Sequence, residues 1–244
     1  MRKYNWNNVW INARLLLILA GLILMYSFTL KRNGERKLTK TIVEFTGNEE
    51  RFVSDSTVDK LLIEKKSGVR SIRKDKLALN ELEKTVDANA MIKKSEVFVS
   101  INGVLTAVIE QKTPVVRVVD KSGSFYIDYE GDKMPLSEIH SARVPLVSGL
   151  SNAGSSKKFN TLFQYIHDDD FLKKNVIGLQ VLPSGSLLMK CRNNNYVIEF
   201  GRAINIERKF DNYKAFFQKA TQDGSIDKYK VVNLKFTQQV VCTK

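Results

Sequence analysis

Few residues in this chain combine the type and the spacing that catalysis or metal binding requires. His167 precedes three consecutive carboxylates, Asp168, Asp169 and Asp170. A metal could use such side chains, but consecutive residues on a helix point around its axis and do not converge on one ion. The other histidine, His140, belongs to a different segment. The run therefore predicts the solvated acidic end of a helix.

A phosphate-binding loop is the next candidate. Gly149 and Gly154 have its glycine spacing, but Ser155 and Ser156 follow where the loop needs lysine and then serine or threonine, and Lys157 comes too late. Without that lysine the phosphates lack their charge partner, so the spacing predicts a polar loop. No G-x-S-x-G elbow is present either.

The remaining reactive groups also favour structural roles. Asp128 and Glu130 flank a turn, where Asp128 can cap and Gly131 can supply a positive φ. Cys191 and Cys242 form no C-x-x-C pair, and free thiols are favoured over a disulfide. We therefore predict no enzymatic activity, no catalytic, cofactor-binding or metal-ligating residues, and no cofactor.

The composition is that of a folded protein with a basic balance. Of 244 residues, 43% are hydrophobic and 27% are charged, and the formal net charge is +13. Such a charge indicates an acidic partner, which could be nucleic acid, anionic lipid or protein. The positive charge is spread along the chain without a nucleic-acid-binding motif, so neither a nucleic acid nor a small-molecule substrate is expected.

The strongest segmental signal is an uncharged apolar run from Leu15 to Leu30. At about 1.5 Å per residue it is about 24 Å long, and apolar residues before it extend the stretch towards the thickness of a bilayer core. No cleavage site of small residues follows, since Lys31 comes directly next. We predict a cytoplasmic tail over 1–10 and an uncleaved transmembrane helix over 11–30, with lipid-facing side chains at Leu15, Leu16, Leu17, Ile18, Leu19, Leu22, Ile23 and Leu24.

The orientation of this anchor is not settled by charge. Three cations precede the span and five follow it within ten residues, which by the positive-inside rule favours a cytoplasmic C-terminal side. We expect the opposite orientation, because long folded domains translocate with limited regard to flanking charge.

After a linker over 31–40, the residues 41–113 predict a β-α-α-β-β module. Thr41–Phe45 alternates as a strand, and Ser54–Thr57 offers N-cap chemistry for a helix that Gly68 ends. A second helix fits Asp75–Val86. Two strands, 96–101 and 104–109, then flank Asn102-Gly103, which predicts a type I′ hairpin turn.

The residues 114–244 predict a second domain that is mixed and mainly antiparallel. A helix is predicted over 159–172 and another over 204–219, and 229–241 reads as one final strand. A meander of three strands is expected between the helices. The predicted strands before and within the meander are 125–129, 176–182, 187–192 and 196–200. The fold class is therefore α+β with one N-terminal transmembrane helix.

The order of several short motifs resembles the bacterial cell-division proteins of the FtsQ/DivIB family. Lys235, Phe236 and Asn233 stand where that family usually has Arg, Tyr and Asp, and Asn102-Gly103 stands where a proline often precedes Thr-Leu. The segments that carry the resemblance are 92–97, 104–110, 112–115, 128–131, 199–201 and 232–236.

The resemblance implies that the first module is a POTRA domain, a fold that serves as a docking platform, and that the second is an FtsQ-type β domain. It implies a non-catalytic scaffold of the divisome, in the inner membrane and enriched at the septum, that links early and late division proteins. Partners of the FtsB/FtsL type would add a strand at the C-terminal edge. The implied partner-binding residues are Val231, Val232, Asn233, Leu234, Lys235, Phe236, Thr237, Gln238, Gln239 and Val240.

Two other functions remain open from the sequence. One is a POTRA-containing component of an outer-membrane assembly or secretion system, although such proteins usually carry several repeats or a barrel. The other is a membrane-anchored binding protein or adhesin of unrelated fold.

Overall fold

The structure is a computed structural model, which describes the residues 6–47, 50–63, 73–74, 77–121, 123–150 and 156–244. Contacts divide the chain into two compact units. The first comprises the chain up to Thr46 with Ser54–Asn89 and Lys94–Glu110, and the second comprises Gly47–Val53, Ala90–Lys93 and Gln111–Lys244.

The chain enters the first unit through a long apolar helix, α1, over Trp6–Gly34. Its Trp10–Gly34 portion is long and apolar enough to cross a membrane, and none of that portion is buried against the protein. The helix contains the predicted span over 11–30 and continues to Gly34, so its last turn, with Lys31 and Arg32, lies in the predicted linker.

A three-stranded sheet and two helices follow in the predicted β-α-α-β-β order. The strands are β1 over Lys40–Thr46, β2 over Ile92–Val99 and β3 over Val104–Gln111, and the helices are α2 over Asp55–Leu62 and α3 over Leu79–Asp87. The strand order is β1-β3-β2, with β1 parallel to β3. The central position of β3 follows from its apolar sequence, because Leu105, Ala107 and Ile109 are fully buried.

The two helices bury one apolar side each. Ser54 caps α2 by accepting the Thr57 N–H at 3.1 Å, as predicted. Val58 and Leu62 of α2 and Val86 of α3 are buried. The helix α3 begins at Leu79 after Ala78, which offers no side-chain cap, and the predicted start at Asp75 lies outside the described residues. The predicted stop of α2 at Gly68 is wrong, because the helix ends at Leu62 and the Ile63 backbone is extended.

The hairpin between β2 and β3 is confirmed, but the predicted type I′ turn is wrong. A type I′ turn needs positive φ at both Asn102 and Gly103, and of these two residues only Gly103, at φ +82°, has it. The Gly103 N–H donates to the Ser100 carbonyl at 3.0 Å, so the tight turn spans 100–103 and the glycine follows its central pair. This is a three-residue loop, and it moves Ile101 out of the predicted strand face into the exposed turn.

The second unit contains a nine-stranded sheet in the order β12-β11-β10-β9-β8-β7-β4-β5-β6. Three of its neighbouring pairs are parallel, β4 with β7, β7 with β8 and β10 with β11, and the other five are antiparallel. The expected mixed and mainly antiparallel domain and the β8-β9-β10 meander are therefore confirmed. The strands are β4 Pro114–Asp120, β5 Gly123–Asp128, β6 Lys133–Met134, β7 Leu146–Ser148, β8 Val176–Val181, β9 Leu187–Cys191, β10 Val197–Gly201, β11 Val231–Asn233 and β12 Val241–Thr243.

The helices of this unit are α4 over Asn160–Asp168, α5 over Asp170–Asn175 and α6 over Ile206–Gln222. The single helix predicted over 159–172 is wrong, because Asp169 breaks it. The Asp169 backbone is extended, and its side chain accepts the Leu172 N–H at 2.9 Å, which caps α5 as a new helix.

One face of the large sheet carries the core. Residues that are paired in register across successive strands are all buried on this face, where they form one apolar cluster with Leu162, Phe163, Phe210 and Tyr213 of the helices. The paired residues are Val118, Val147, Leu179, Met189, Ile198 and Val232. At the β5–β6 end of the sheet a second, smaller cluster of Phe52, Tyr126 and Met134 packs on the other side, since Tyr126 alternates with the core residue Ile127.

The turn after β5 has the predicted structural roles. The Asp128 carboxylate accepts the Asp132 N–H at 2.7 Å and pairs with Lys112 at 3.0 Å, and Gly131 has φ +88°. The carboxyl group is fully buried. Asp128 therefore holds the β5–β6 turn.

Candidate functional site

The predicted final strand is the first part of the candidate site, and the structure corrects it. The continuous strand predicted over 229–241 is wrong, because the chain turns back and forms two short strands, β11 and β12. The strand β11 is interior: Val232 pairs with Ile198 of β10 on one side and with Cys242 of β12 on the other. Residues 231–233 therefore cannot accept a further strand.

The open edge belongs to β12. Among the residues that the structure describes, this strand pairs with β11 alone, and it ends the sheet order. Val241 and Thr243 are exposed, whereas Cys242 points towards the core and is half-buried. An edge strand presents unpaired backbone N–H and C=O groups, so a second polypeptide strand can pair with it.

The turn that separates the two strands is fixed by side-chain hydrogen bonds. The Asn233 side chain accepts the Lys235 N–H at 3.0 Å, which is an Asx turn and ends β11. The Leu234 N–H donates to the Glu199 carbonyl at 2.9 Å, and the Leu234 side chain is fully buried. On the α6 side, the Asn212 amide donates to the Thr237 carbonyl at 3.0 Å. The loop over 234–240 is therefore held at its start and at its middle.

Lys235 lies directly over the end of β10. Its ammonium donates to the Glu199 carboxylate at 2.6 Å, and the same carboxylate accepts from the Asn233 side chain at 3.2 Å. Its side chain covers Gly201, where an added Cβ would lie 3.0 Å from Lys235 Cγ. Half of the lysine side chain stays exposed, so Lys235 joins the strand ends and still reaches solvent.

Phe236 projects from this loop. Its side chain is 54% exposed, so the ring is available to a partner surface. Of the other predicted partner-binding residues, Gln238 and Gln239 are exposed like Lys235. Val232 and Leu234 are core residues, and the half-buried ones are Val231, Asn233, Thr237 and Val240.

The side of the large sheet opposite the core forms an open face that reaches β12. Val119, Leu146 and Ile177 are between 38% and 50% exposed on it, and they line a groove of about 430 Å³ with Leu188 and Val197. Gly178 also lines this groove. The apolar positions of the open face are Val119, Leu146, Ile177, Leu188, Val197, Val231 and Val241.

Sequence reasoning did not include β12 and the open face in the site. A signal for β12 was present: two valine pairs, 231–232 and 240–241, enclose the polar run Thr237–Gln239, a pattern typical of a hairpin. The open face had no comparable signal, because its residues come from seven strands.

The two cysteines are free thiols. Cys191 lies in a buried hydrogen-bonded cluster, with its sulfur 3.2 Å from the Tyr213 hydroxyl, which is 2.9 Å from the Tyr196 hydroxyl. Burial raises the pKa of Cys191 and those of both tyrosines. On the sheet, β10 and β11 separate Cys191 of β9 from Cys242 of β12.

The acidic run has structural partners. Asp168 accepts the Tyr129 hydroxyl at 2.8 Å, and Asp169 caps α5 and pairs with Lys214. Burial lowers the pKa of His167. In the described parts of the chain, no three His, Cys, Asp or Glu side chains group as metal ligands. Gly154 and Ser155 of the candidate phosphate loop lie outside the described residues.

Comparison with known proteins agrees with this architecture. Residues 113–243 match the family model described as FtsQ/DivIB, C-terminal related. No curated protein matches the chain. The matched range includes all nine strands of the large sheet, the three helices on its core face and the C-terminal hairpin, and it is more than half of the chain. The chain therefore belongs to the FtsQ/DivIB family, and with its apolar helix α1 it is a single-pass inner-membrane protein with a role in cell division.

Proposed function

We propose that this protein is a non-catalytic scaffold of the divisome that captures an FtsB-type partner by strand addition to β12. The family is one of division scaffolds, which agrees with protein partners in a division complex. The observation that carries the proposal is the open edge at β12, within an otherwise paired C-terminal hairpin.

Backbone pairing at β12 would give the partner its direction and register. The strand has three residues, Val241–Thr243, so it offers few hydrogen bonds and cannot supply the affinity alone. Short edge strands also resist unwanted pairing. Specific capture therefore needs side-chain contacts beside the edge.

Two features beside β12 supply such contacts. Phe236 offers an exposed ring of the kind that dominates protein interfaces when buried. Lys235 keeps N–H groups beyond the one bonded to Glu199, so an acidic partner group could join this pair. The apolar open face would cover the segment of the partner that leaves the added strand.

A proline scan of β12 tests the strand addition. In a strand, alternate residues direct their N–H groups to opposite sides, so proline at 241 or 243 and proline at 242 remove different sets of bonds. One set faces β11 and the other faces outward. We expect proline in the outward set to abolish capture of a co-expressed FtsB-type protein with an unchanged fold. Full capture by every proline variant that folds would exclude strand addition.

The side-chain contribution is tested separately with Phe236→Glu. Because the ring is exposed, the free energy of unfolding should change by no more than about 0.5 kcal/mol. Capture should weaken at least about tenfold, as expected for an interface anchor. Ile204→Glu is the matched control, since Ile204 is 58% exposed and lies in the connection before α6. Equal capture by both variants and the unaltered chain would remove Phe236 from the interface.

We further propose that the first unit is a POTRA domain used as a second docking platform, and that the domains lie outside the cytoplasm. The β-α-α-β-β order and the β1-β3-β2 sheet support this assignment. Fluorescence localisation of the tagged chain in dividing cells separates the proposal from the alternatives. A mid-cell ring during constriction is expected, whereas an even envelope distribution would favour an assembly, secretion or adhesion role.

A further inference from the structure

The segment that follows the membrane helix carries a concentrated positive charge. Residues 31–40 contain five cations and one carboxylate, Glu35, a net charge of +4 in ten residues. All five cations are exposed, and Glu35 faces Arg73 at 4.0 Å. We call these cations the basic collar; they are Lys31, Arg32, Arg36, Lys37 and Lys40.

The tip of the β2–β3 hairpin is bonded to this collar. The Thr39 N–H donates to the Gly103 carbonyl at 2.8 Å, and the Arg36 guanidinium reaches the Ile101 carbonyl at 3.5 Å. Lys74 donates from its ammonium to the Ser100 and Ile101 carbonyls at 2.6 and 2.9 Å, and its N–H donates to the Arg36 carbonyl. The tip therefore has a fixed position next to the collar.

Gly103 makes this close approach possible. A Cβ added there would lie 2.7 Å from the Lys37 carbonyl oxygen, which no side chain can occupy without a shift of the backbone. Ile101, at the same tip, is 74% exposed. An apolar side chain is thus held outward beside Arg32 and Arg36 of the collar, with which it lines one pocket.

The helix fixes where this surface lies relative to a bilayer. The uncharged run of α1 ends at Leu30, and the helix continues for four residues to Gly34. At about 1.5 Å per residue this is about 6 Å, which is about the depth of the headgroup layer. Lys31 and Arg32 therefore lie at headgroup level once α1 spans the membrane, and so does Ile101, which lines a pocket with Leu30 and Arg32.

We propose that the basic collar and Ile101 form a surface that docks on anionic phospholipid headgroups. The collar supplies the charge complementarity, and Ile101 inserts its apolar side chain between headgroups. This contact would hold the first unit against the leaflet from which α1 emerges. It concerns a different surface from the C-terminal edge and does not depend on partner capture.

The test uses the full chain in lipid nanodiscs of two compositions, phosphatidylcholine alone and an equal mixture with phosphatidylglycerol. Ile101→Cys carries an environment-sensitive fluorophore, in a chain with Cys242→Ser and with Cys191 left buried. In the anionic discs we expect a blue-shifted emission and about threefold weaker quenching by a water-soluble quencher. Salt at about 0.5 M should reverse both effects, because it screens surface charges.

Charge variants make the test specific. Each cation near an anionic surface strengthens binding about fivefold, so the combined Arg36→Gln, Lys37→Gln and Lys40→Gln variant should lose the shift. The matched control removes the same amount of charge from exposed positions of the second unit. This control is Lys158→Gln, Lys173→Gln and Lys174→Gln combined, and it should keep the blue shift of the probe. An equal probe spectrum in both lipid compositions would overturn the proposal, and so would loss of the shift in the control.

Discussion

Most of the polar residues that could have been functional groups in this sequence have structural roles. Asp128 is fully buried and holds a turn, Asp169 separates two helices, and Asn233 ends a strand. Lys209 is buried, and no carboxylate among the described residues pairs with it; its ammonium donates to the Phe200 and Arg202 carbonyls at 2.9 Å. Each of these groups satisfies backbone atoms where the chain changes direction. Carboxylates and ammonium groups in this protein therefore fix connections between elements.

The two thiols should differ in reactivity. The thiolate is the reactive form, and burial raises the pKa of both thiols. They differ in exposure, since Cys191 is buried in the core and Cys242 is half-buried on the edge strand. With an aromatic disulfide reagent, one thiol per folded chain should react, and the second should react at the rate of unfolding. Cys242→Ser should remove the fast phase. A single phase that involves both thiols would contradict the placement of Cys191 in the core.

Asp169 should give the protein an acid-sensitive contribution to stability. Partial burial raises its pKa, but the bonds from Lys214 and from the Leu172 N–H outweigh this, and the pKa is lowered in the folded state. A lowered pKa stabilises the fold above the unfolded value of about 3.9, and the contribution is lost as the pH falls through the folded pKa.

Asp169→Asn tests this contribution, because asparagine retains the helix cap and removes the charge. Urea unfolding in detergent micelles should show a loss of about 1 kcal/mol at neutral pH. The difference from the unaltered chain should shrink below about pH 4. The control is Asp223→Asn, at an exposed position after α6. A pH-independent loss would assign the effect to packing.

The strands and helices owe their boundaries to both local chemistry and neighbours. The meander β8-β9-β10 forms where turn residues separate apolar runs, and Gly185 supplies a positive φ in the first of these turns. Gly149, at the end of β7, has nearly the same φ but lies against β8. The backbone angle φ is +77° at Gly185 and +76° at Gly149. Alanine substitutions at these two glycines therefore separate the free-energy cost of the left-handed backbone from the cost of a steric clash with β8.

Gly185→Ala should destabilise the protein by about 1 kcal/mol, the cost of a left-handed conformation for a residue with a Cβ. No atom lies within 4 Å of the added Cβ there. Gly149→Ala should cost at least about 2 kcal/mol more, since its Cβ would lie 2.2 Å from the Val181 carbonyl oxygen. Chemical denaturation at a constant m-value measures both. Equal losses of stability in the two variants would mean that β7 can move away from β8 without a cost in free energy.

At the level of the full chain, charge and architecture favour opposite orientations. Five cations follow the apolar run of α1 within ten residues of Leu30, and on the positive-inside rule they favour a cytoplasmic location. The bulk of the chain, however, is folded domains, and a lipid-docking collar would give these cations a role outside the cytoplasm. The orientation is therefore a property that needs a direct measurement.

A reporter fused to Lys244 provides that measurement. We expect a reporter that is active only outside the cytoplasm to be active, and a cytoplasmic reporter at the same position to be silent. Insertion of the same reporters after α1, at Thr39, should give the same result, because one membrane helix separates both positions from the N-terminus. Cytoplasmic activity at either position would reverse the proposed orientation.

Local patterns were enough to predict most of the elements. The apolar run specified α1, Ser54 and the valine-leucine stripe specified α2, and alternation with turn residues specified the β8-β9-β10 meander. These features depend on residues within one turn or one hairpin, so the amino-acid order contains all the necessary information. The β-α-α-β-β order of the first unit and the family resemblance followed from the same short-range signals.

Tertiary contacts decided which strand forms the C-terminal edge of the large sheet. The chain after Asn233 turns because Glu199 of a neighbouring strand binds Lys235, Asn233 and the Leu234 N–H. This turn makes β11 an interior strand and β12 the open edge. The two valine pairs indicate a hairpin here, but no local pattern shows which of its strands is the edge. The open face likewise combines residues from strands up to 122 positions apart, from Val119 to Val241. Which strands become neighbours depends on packing between distant segments, and only the folded structure supplies it.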